Sequence, residues 1–124
     1  MSSADDGQRP IDPRVAYILH CAGCHLPDGT GTPPEVPGLR DDLGKIVQVP
    51  GGRGYLVRVP GASQAPINDR ELTVIVNYIL NEFNATTLPE QFTPISEKEV
   101  AEQRPKTLAD PLKYRAELWE QIDY

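Results

Sequence analysis

Both cysteines of the 124-residue chain lie in one short motif, Cys21-Ala22-Gly23-Cys24-His25. Two residues separate the thiols, so one helical turn brings both of them within reach of the two vinyl groups of a single haem. The adjacent His25 then points its imidazole at the iron. The motif therefore predicts one covalently attached haem c, with Cys21 and Cys24 as attachment points and His25 as the proximal iron ligand.

Three other chemistries use a cysteine pair, and each fits less well. A thioredoxin-like redox pair follows a strand in a βαβ unit, and no such unit is predicted here. A zinc site needs four ligands, but His20, Cys21, Cys24 and His25 are crowded together with no second pair elsewhere. A disulfide between the two cysteines would close a very small loop and stabilise little. Haem attachment is favoured, and the redox and metal alternatives stay open.

The motif follows a predicted helix over about residues 13–24. Asp12 is a suitable N-cap and Pro13 a suitable first helical residue. Apolar residues then recur at helical spacing, namely Val15, Ile18 and Leu19. The cysteines would lie in the last turn of this helix.

The strongest helical pattern covers residues 69–83. Asn68 can cap this helix, and Glu71 stands three residues later, as in a capping box. The apolar residues form one wide face: Leu72, Val74, Ile75, Val76, Tyr78, Ile79, Leu80 and Phe83. The β-branched residues in this set make a buried strand the competing prediction, but the cap and the length favour a helix. Shorter helices are predicted over about 39–47 and 53–59.

The last third of the chain predicts two further short helices. Ser96 and Glu99 form a capping box that opens a helix to about Arg104, and Pro105 ends it. Asp110 and Pro111 start the second helix. Its predicted apolar stripe comprises Leu112, Ala116, Trp119 and Ile122.

Composition and charge narrow the class of protein. Only 39% of residues are apolar, while 13 are proline and 10 are glycine, which favours a loop-rich fold whose core gains from an apolar cofactor. A net charge of −6 argues against binding nucleic acid or an anionic membrane surface. No stretch is long enough to span a membrane. The polar start lacks a signal peptide, and we interpret it as a mature or engineered terminus.

At this point residues 12–84 resemble the class I cytochrome c family. Tyr17 and Tyr78 occupy the aromatic positions of the first and last core helices, which cross in that family. Pro37-Gly38-Leu39 stands at the spacing of the Gly-Pro-x-Leu region, although Val36 replaces the glycine. The resemblance implies that the Pro37 carbonyl accepts a hydrogen bond from Nδ1 of His25 and fixes its orientation.

The resemblance also implies a fold and a division of the chain. We expect an all-α, cytochrome c-like fold of short helices and long loops around one covalent haem, with a C-terminal helical extension. Residues 1–11 would be a disordered lead-in, 12–84 the haem domain and 85–124 the extension. Residues 89–124 would pack back on the haem domain by default, with contact to a partner subunit as the alternative. The expected cofactor-binding residues are Cys21, Cys24, His25, Pro37, Leu39 and Tyr55.

The usual sixth ligand of the family, a distal methionine in the loop before the last core helix, has no counterpart here. That loop is residues 60–66, and the only methionine of the chain is Met1. Methionine ligation raises the haem potential, so we expect this protein to differ from a high-potential carrier. The iron is either five-coordinate or water-bound, bound by a second histidine such as His20, or weakly bound by a local side chain. The local candidates are Gln64, Ser63, Lys45 and Tyr55, and Tyr55 is also expected to line the distal pocket.

Two functions follow, from different classes. The family resemblance implies a periplasmic one-electron carrier that accepts electrons from a dehydrogenase or serves an oxidase. The loop without methionine favours a haem protein with an open distal site, either a sensor of small ligands or a peroxidase-like enzyme. No distal acid–base pair is visible, so an enzyme is the weaker prediction.

Haem c is attached outside the bacterial cytoplasm, so the precursor is expected to carry an export signal. Lys45, Arg53 and Arg58 are candidates for pairing with haem propionates or for a docking patch.

Overall fold

The computed structural model describes residues 10–21, 25–31 and 38–122, and within these ranges it contains seven helices and no strand. The helices are α1 Pro13–His20, α2 Asp42–Ile46, α3 Gly52–Arg58, α4 Pro60–Ser63, α5 Asp69–Phe83, α6 Glu97–Gln103 and α7 Pro111–Glu120. This architecture confirms the predicted all-α class. None of these helices combines the length and the apolar character that crossing a membrane requires.

Helix α1 begins where the sequence predicts. The Asp12 carboxylate accepts hydrogen bonds from the backbone N–H groups of Arg14 and Val15, at 3.0 and 3.2 Å. The helix ends at His20, four residues earlier than predicted. Cys21 is its C-cap, in a non-helical backbone conformation.

Helix α5 covers residues 69–83, as predicted, and forms the centre of the fold. The Asn68 side chain accepts a hydrogen bond from the Glu71 N–H at 2.8 Å. The buried face of α5 consists of Leu72, Ile75, Val76, Ile79, Leu80 and Phe83. Helix α1 packs across α5, and the ring of Tyr17 lies 5.7 Å from Tyr78 and 5.4 Å from Phe83. The two aromatic positions named from the sequence therefore meet where these helices cross.

The short helices between residues 39 and 63 depend on close backbone packing. Helix α2 is shorter than predicted at both ends. Helix α3 starts after Gly51, whose φ of 85° favours glycine, and Gly52 packs so closely on Ile46 that a Cβ would lie 1.7 Å from its carbonyl oxygen. Helix α4 was not predicted, although Pro60 at its first position suits a helix start.

The C-terminal segment, residues 89–122, packs on the rest of the chain. Ser96 and Glu99 form the predicted capping box, with both hydrogen bonds present. Helix α6 contacts α3 and α5, and α7 contacts α3. The predicted stripe of α7 is partly wrong: Leu112 and Ala116 are exposed, whereas Leu118 is only 2% exposed.

One arginine anchors α6 to α3. The Arg53 guanidinium donates to both carboxylate oxygens of Glu99, at 2.8 and 2.7 Å, and to the carbonyls of Thr93 and Pro94. Hydrogen bonding to Arg53 lowers the pKa of Glu99 to about 2. Glu99 is therefore ionised at neutral pH and serves both as a capping residue and as an anchor.

Candidate haem attachment site

The backbone holds Cys21 and His25 one helical turn apart. The His25 N–H donates to the Cys21 carbonyl at 3.0 Å, and the Cys21 N–H donates to the Tyr17 carbonyl at 2.8 Å. Two successive backbone hydrogen bonds, each between residues four apart, therefore connect Tyr17 in α1 with Cys21 and Cys21 with His25. Cys24, the second predicted attachment point, lies outside the described residues.

The imidazole of His25 is in the state that a metal ligand needs. Its Nδ1 atom is buried, and none of the described residues hydrogen-bonds to it. Burial lowers the pKa of His25, which keeps the ring neutral at pH 7. A neutral imidazole is the iron-binding form, and a proximal histidine usually donates its other N–H to a protein oxygen. The predicted acceptor, Pro37, is among the residues that the structure leaves undescribed.

Tyr17 fixes the chain immediately after His25. Its side chain is fully buried, and its hydroxyl donates to the carbonyl of Leu26 at 2.6 Å. The hydroxyl therefore ties the residue after His25 to helix α1, and the ring ties both to α5. Burial, with smaller contributions from the charges of Cys21 and Asp28, raises the pKa of Tyr17 to about 12.

Replacing Tyr17 by phenylalanine is expected to lower the free energy of unfolding by about 1 kcal/mol, because the Leu26 carbonyl loses the hydroxyl donor and keeps only the Gly29 N–H, at 2.9 Å. The folded pKa is raised above the ordinary value of 10, so this contribution is fully present below pH 10 and is lost as the pH rises from 10 to about 12. Urea unfolding of Tyr17→Phe and wild type across this range measures the difference. Tyr114→Phe is the control, since that exposed hydroxyl lies 3.5 Å from the Gly51 carbonyl; equal losses in the two variants would contradict the prediction.

Leu39 is held at both of its backbone polar groups. Its N–H donates to the Gly29 carbonyl at 2.6 Å, and its carbonyl accepts from Nδ2 of Asn84 at 2.8 Å. Gly29 has a φ of 86°, and a Cβ there would lie 2.8 Å from the Phe83 ring. The loop after His25 and the residues before α2 are thus fastened to the C-terminal end of α5. Asn84 carries much of this arrangement, and the sequence analysis did not identify it.

Exposed apolar surface is concentrated beside the motif. Among the described residues, all large exposed apolar side chains except Leu112 lie between Val15 and Leu26. Val15, Ile18 and Leu19, which were expected to form the apolar side of α1, are 50, 38 and 71% exposed, and Ala16 and Tyr17 form the buried side instead. These exposed apolar side chains are close to Cys21 in the sequence, and exposed apolar surface often marks a binding site.

The side chains considered as sixth iron ligands mostly face the C-terminal segment. The Tyr55 ring stacks on Tyr114 at 6.1 Å, and its hydroxyl accepts from Arg115 at 3.4 Å. Nζ of Lys45 lies 5.9 Å from the Trp119 ring centroid. The Ser63 hydroxyl donates to the Arg104 carbonyl at 2.8 Å, and Gln64 is exposed.

The three basic residues proposed for propionate pairing or docking also face the C-terminal segment. Arg53 binds Glu99, and Lys45 lies over Trp119. Arg58 donates to the Lys106 carbonyl at 2.7 Å, and its guanidinium lies 5.1 Å from the Tyr114 ring centroid. In this structure these cations hold the C-terminal segment against α2 and α3.

Among the described residues, no group of three or more histidine, cysteine or acidic side chains is arranged to hold a metal ion. The alternative of a zinc site stays open, because Cys24, one of its four candidate ligands, lies outside the described residues. The His20 side chain is 25% exposed, and its Nε2 lies 3.7 Å from a Glu71 carboxylate oxygen.

Two characterised proteins are similar to the chain. A cytochrome c-552 of Thermus thermophilus is 29% identical over 106 residues, covering 71% of this chain and 81% of the relative. A second cytochrome c-552 of the same organism is 29% identical over the same length, covering 71% of this chain and 72% of the relative. The chain is similar to cytochromes c. No protein-family model matches it. The similarity supports the resemblance seen in the sequence and agrees with the all-α fold.

Proposed function

We propose that the protein is a mono-haem c-type cytochrome that carries single electrons. Cys21 and Cys24 would hold the haem covalently, and His25 would be the proximal iron ligand. The observation that carries this proposal is the geometry of His25: its backbone N–H donates to the Cys21 carbonyl at 3.0 Å, and its imidazole is partly buried, with Nδ1 covered. The similarity to cytochrome c-552 supports the same assignment.

The haem would supply one-electron exchange at its iron, and the protein would supply its position. Tyr17 orients the chain that leaves His25, through the Leu26 carbonyl. Asn84 and Gly29 hold Leu39, which the family resemblance places beside the haem. Export to the periplasm and a dehydrogenase or oxidase as redox partner complete the proposal.

A second candidate function is binding of small ligands at an open distal position. The loop 60–66 contains no methionine, and Tyr55, Lys45 and Ser63 all contact the C-terminal segment. These three side chains therefore have other partners, and none of them is in place as a strong sixth ligand of the iron. An open iron would bind carbon monoxide or nitric oxide.

Absorption spectra of the ferric and ferrous protein, with and without carbon monoxide, distinguish the two functions. For the electron carrier we expect a ferrous six-coordinate low-spin spectrum that carbon monoxide leaves unchanged. High-spin iron with rapid carbon monoxide binding would reject a strong sixth ligand and favour ligand binding. A reduction potential measured on the same samples indicates which class of redox partner is suitable.

A further inference from the structure

Arg104, at the end of α6, contacts the loop that precedes α5 with every edge of its guanidinium. Nε donates to the Ser63 carbonyl at 3.1 Å, Nη2 to the Ala65 carbonyl at 2.7 Å and Nη1 to the Asp69 carboxylate at 3.0 Å. The Arg104 side chain is only 13% exposed. One side chain thus joins the end of α4, the loop and the start of α5.

The surrounding contacts are reciprocal. The Ser63 hydroxyl donates to the Arg104 carbonyl at 2.8 Å and also pairs with the Thr107 hydroxyl. Nearby, the Leu108 N–H donates to the Arg58 carbonyl at 2.9 Å. Residues 104–108 therefore fasten the loop from the side of the C-terminal segment, and most of the acceptors are backbone carbonyls.

The same loop is connected to the attachment motif through the first turn of α5. Asp69 binds Arg104, and two residues later Glu71 lies 3.7 Å from His20, which directly precedes Cys21. The Ala65 carbonyl also accepts from the Ile67 N–H at 2.8 Å, so both of its acceptor positions are used. The conformation of the loop is fixed by its own turn and by Arg104 together.

We propose that Arg104 is a positioning residue for the distal side of the haem: it fixes the loop 60–66, which the family resemblance places opposite His25. This inference rests on the proposed function, because it requires a haem at Cys21 and Cys24. The loop 60–66 contains no methionine, so no methionine–iron bond can fix its position. In this chain the hydrogen bonds from Arg104, in the C-terminal segment, fix it instead. The planar fork of arginine meets three acceptors at once, whereas lysine is a single point charge on a flexible stem.

Arg104→Lys tests the proposal, with Arg53→Lys as a matched control. Arg53 also joins the C-terminal segment to the rest of the chain through one carboxylate and two backbone carbonyls, but those belong to Glu99, Thr93 and Pro94. Both variants are expected to lose stability and to keep covalent haem. In the haem-loaded protein, only Arg104→Lys should speed amide hydrogen exchange at residues 62–65 and at Ile67, by about tenfold, because hydrogen bonds from a charged donor are lost. Only Arg104→Lys should change the ferric spin-state spectrum and the rate of cyanide association.

The outcomes separate the proposal from its premise. If Arg104→Lys matches Arg53→Lys in exchange, spectrum and cyanide rate, the proposal is overturned. Faster exchange with an unchanged spectrum and cyanide rate also overturns it, because Arg104 would then stabilise the loop without acting on the haem. A wild-type chain that lacks covalent haem would instead reject the proposed function, and this inference with it.

Discussion

Replacing Cys21 and Cys24 together by alanine is expected to abolish covalent haem attachment. Thioether bonds survive denaturation, whereas a haem held by His25 and apolar contacts alone leaves when the chain unfolds. After extraction with acidified organic solvent, the wild-type chain should retain one haem and Cys21→Ala/Cys24→Ala none. The haem content of the precipitated protein, measured as its pyridine complex, gives the answer directly.

Two further variants show whether attachment or local folding is being tested. Cys21→Ala alone should retain haem through one bond, with the spectrum of a haem that keeps one vinyl group. His20→Ala changes a partly exposed neighbour that lies 3.7 Å from Glu71, and it should retain haem fully. Haem that stays with the double variant after extraction would refute thioether attachment.

Features encoded by neighbouring residues were predictable from the sequence. Asp12, Asn68, Ser96 and Asp110 all cap helices in the structure as expected, because each contact spans two or three residues. Helix α5 has the predicted bounds because its cap and its apolar face agree. The motif from Cys21 to His25 is equally local, and the haem attachment inferred from its spacing stays a prediction.

Features that depend on distant contacts were not predictable. The burial of Leu118 rather than Leu112 depends on how α7 lies on α3, and a short helix with a weak pattern does not indicate which side faces the core. Arg104 and Asn84 reach their partners across some 35 to 45 residues of chain. No local pattern marks either of them, and both become significant only when the loops are in place.

The second large effect concerns Asn84, which is completely buried. Its Oδ1 accepts from the Gly44 N–H at 3.0 Å, and its Nδ2 donates to the carbonyls of Leu39 and Ile79, at 2.8 and 3.1 Å. Asn84→Ala would leave the buried Gly44 donor and the partly buried Leu39 acceptor without Asn84 as a partner. Each such group costs about 1–3 kcal/mol, so we expect a loss of about 3 kcal/mol in the free energy of unfolding.

Urea unfolding measures this loss as a lower midpoint with an unchanged slope. Asn81→Ala is the control, because Asn81 lies on the same helix with an exposed side chain and should change stability by less than about 0.5 kcal/mol. A loss for Asn84→Ala no larger than that of the control would contradict the role assigned to Asn84.

Asn84→Asp separates the hydrogen bonds from the volume of the side chain. The two residues are nearly isosteric, so this variant leaves no cavity, and it can still accept from the Gly44 N–H. It loses the amide donor to Leu39, and it places a carboxylate in a buried site that desolvation penalises. If hydrogen bonding is the cause, Asn84→Asp should lose at least as much stability at pH 7 as Asn84→Ala. A variant as stable as wild type would show that shape alone matters, and that the Leu39 carbonyl does not need Asn84.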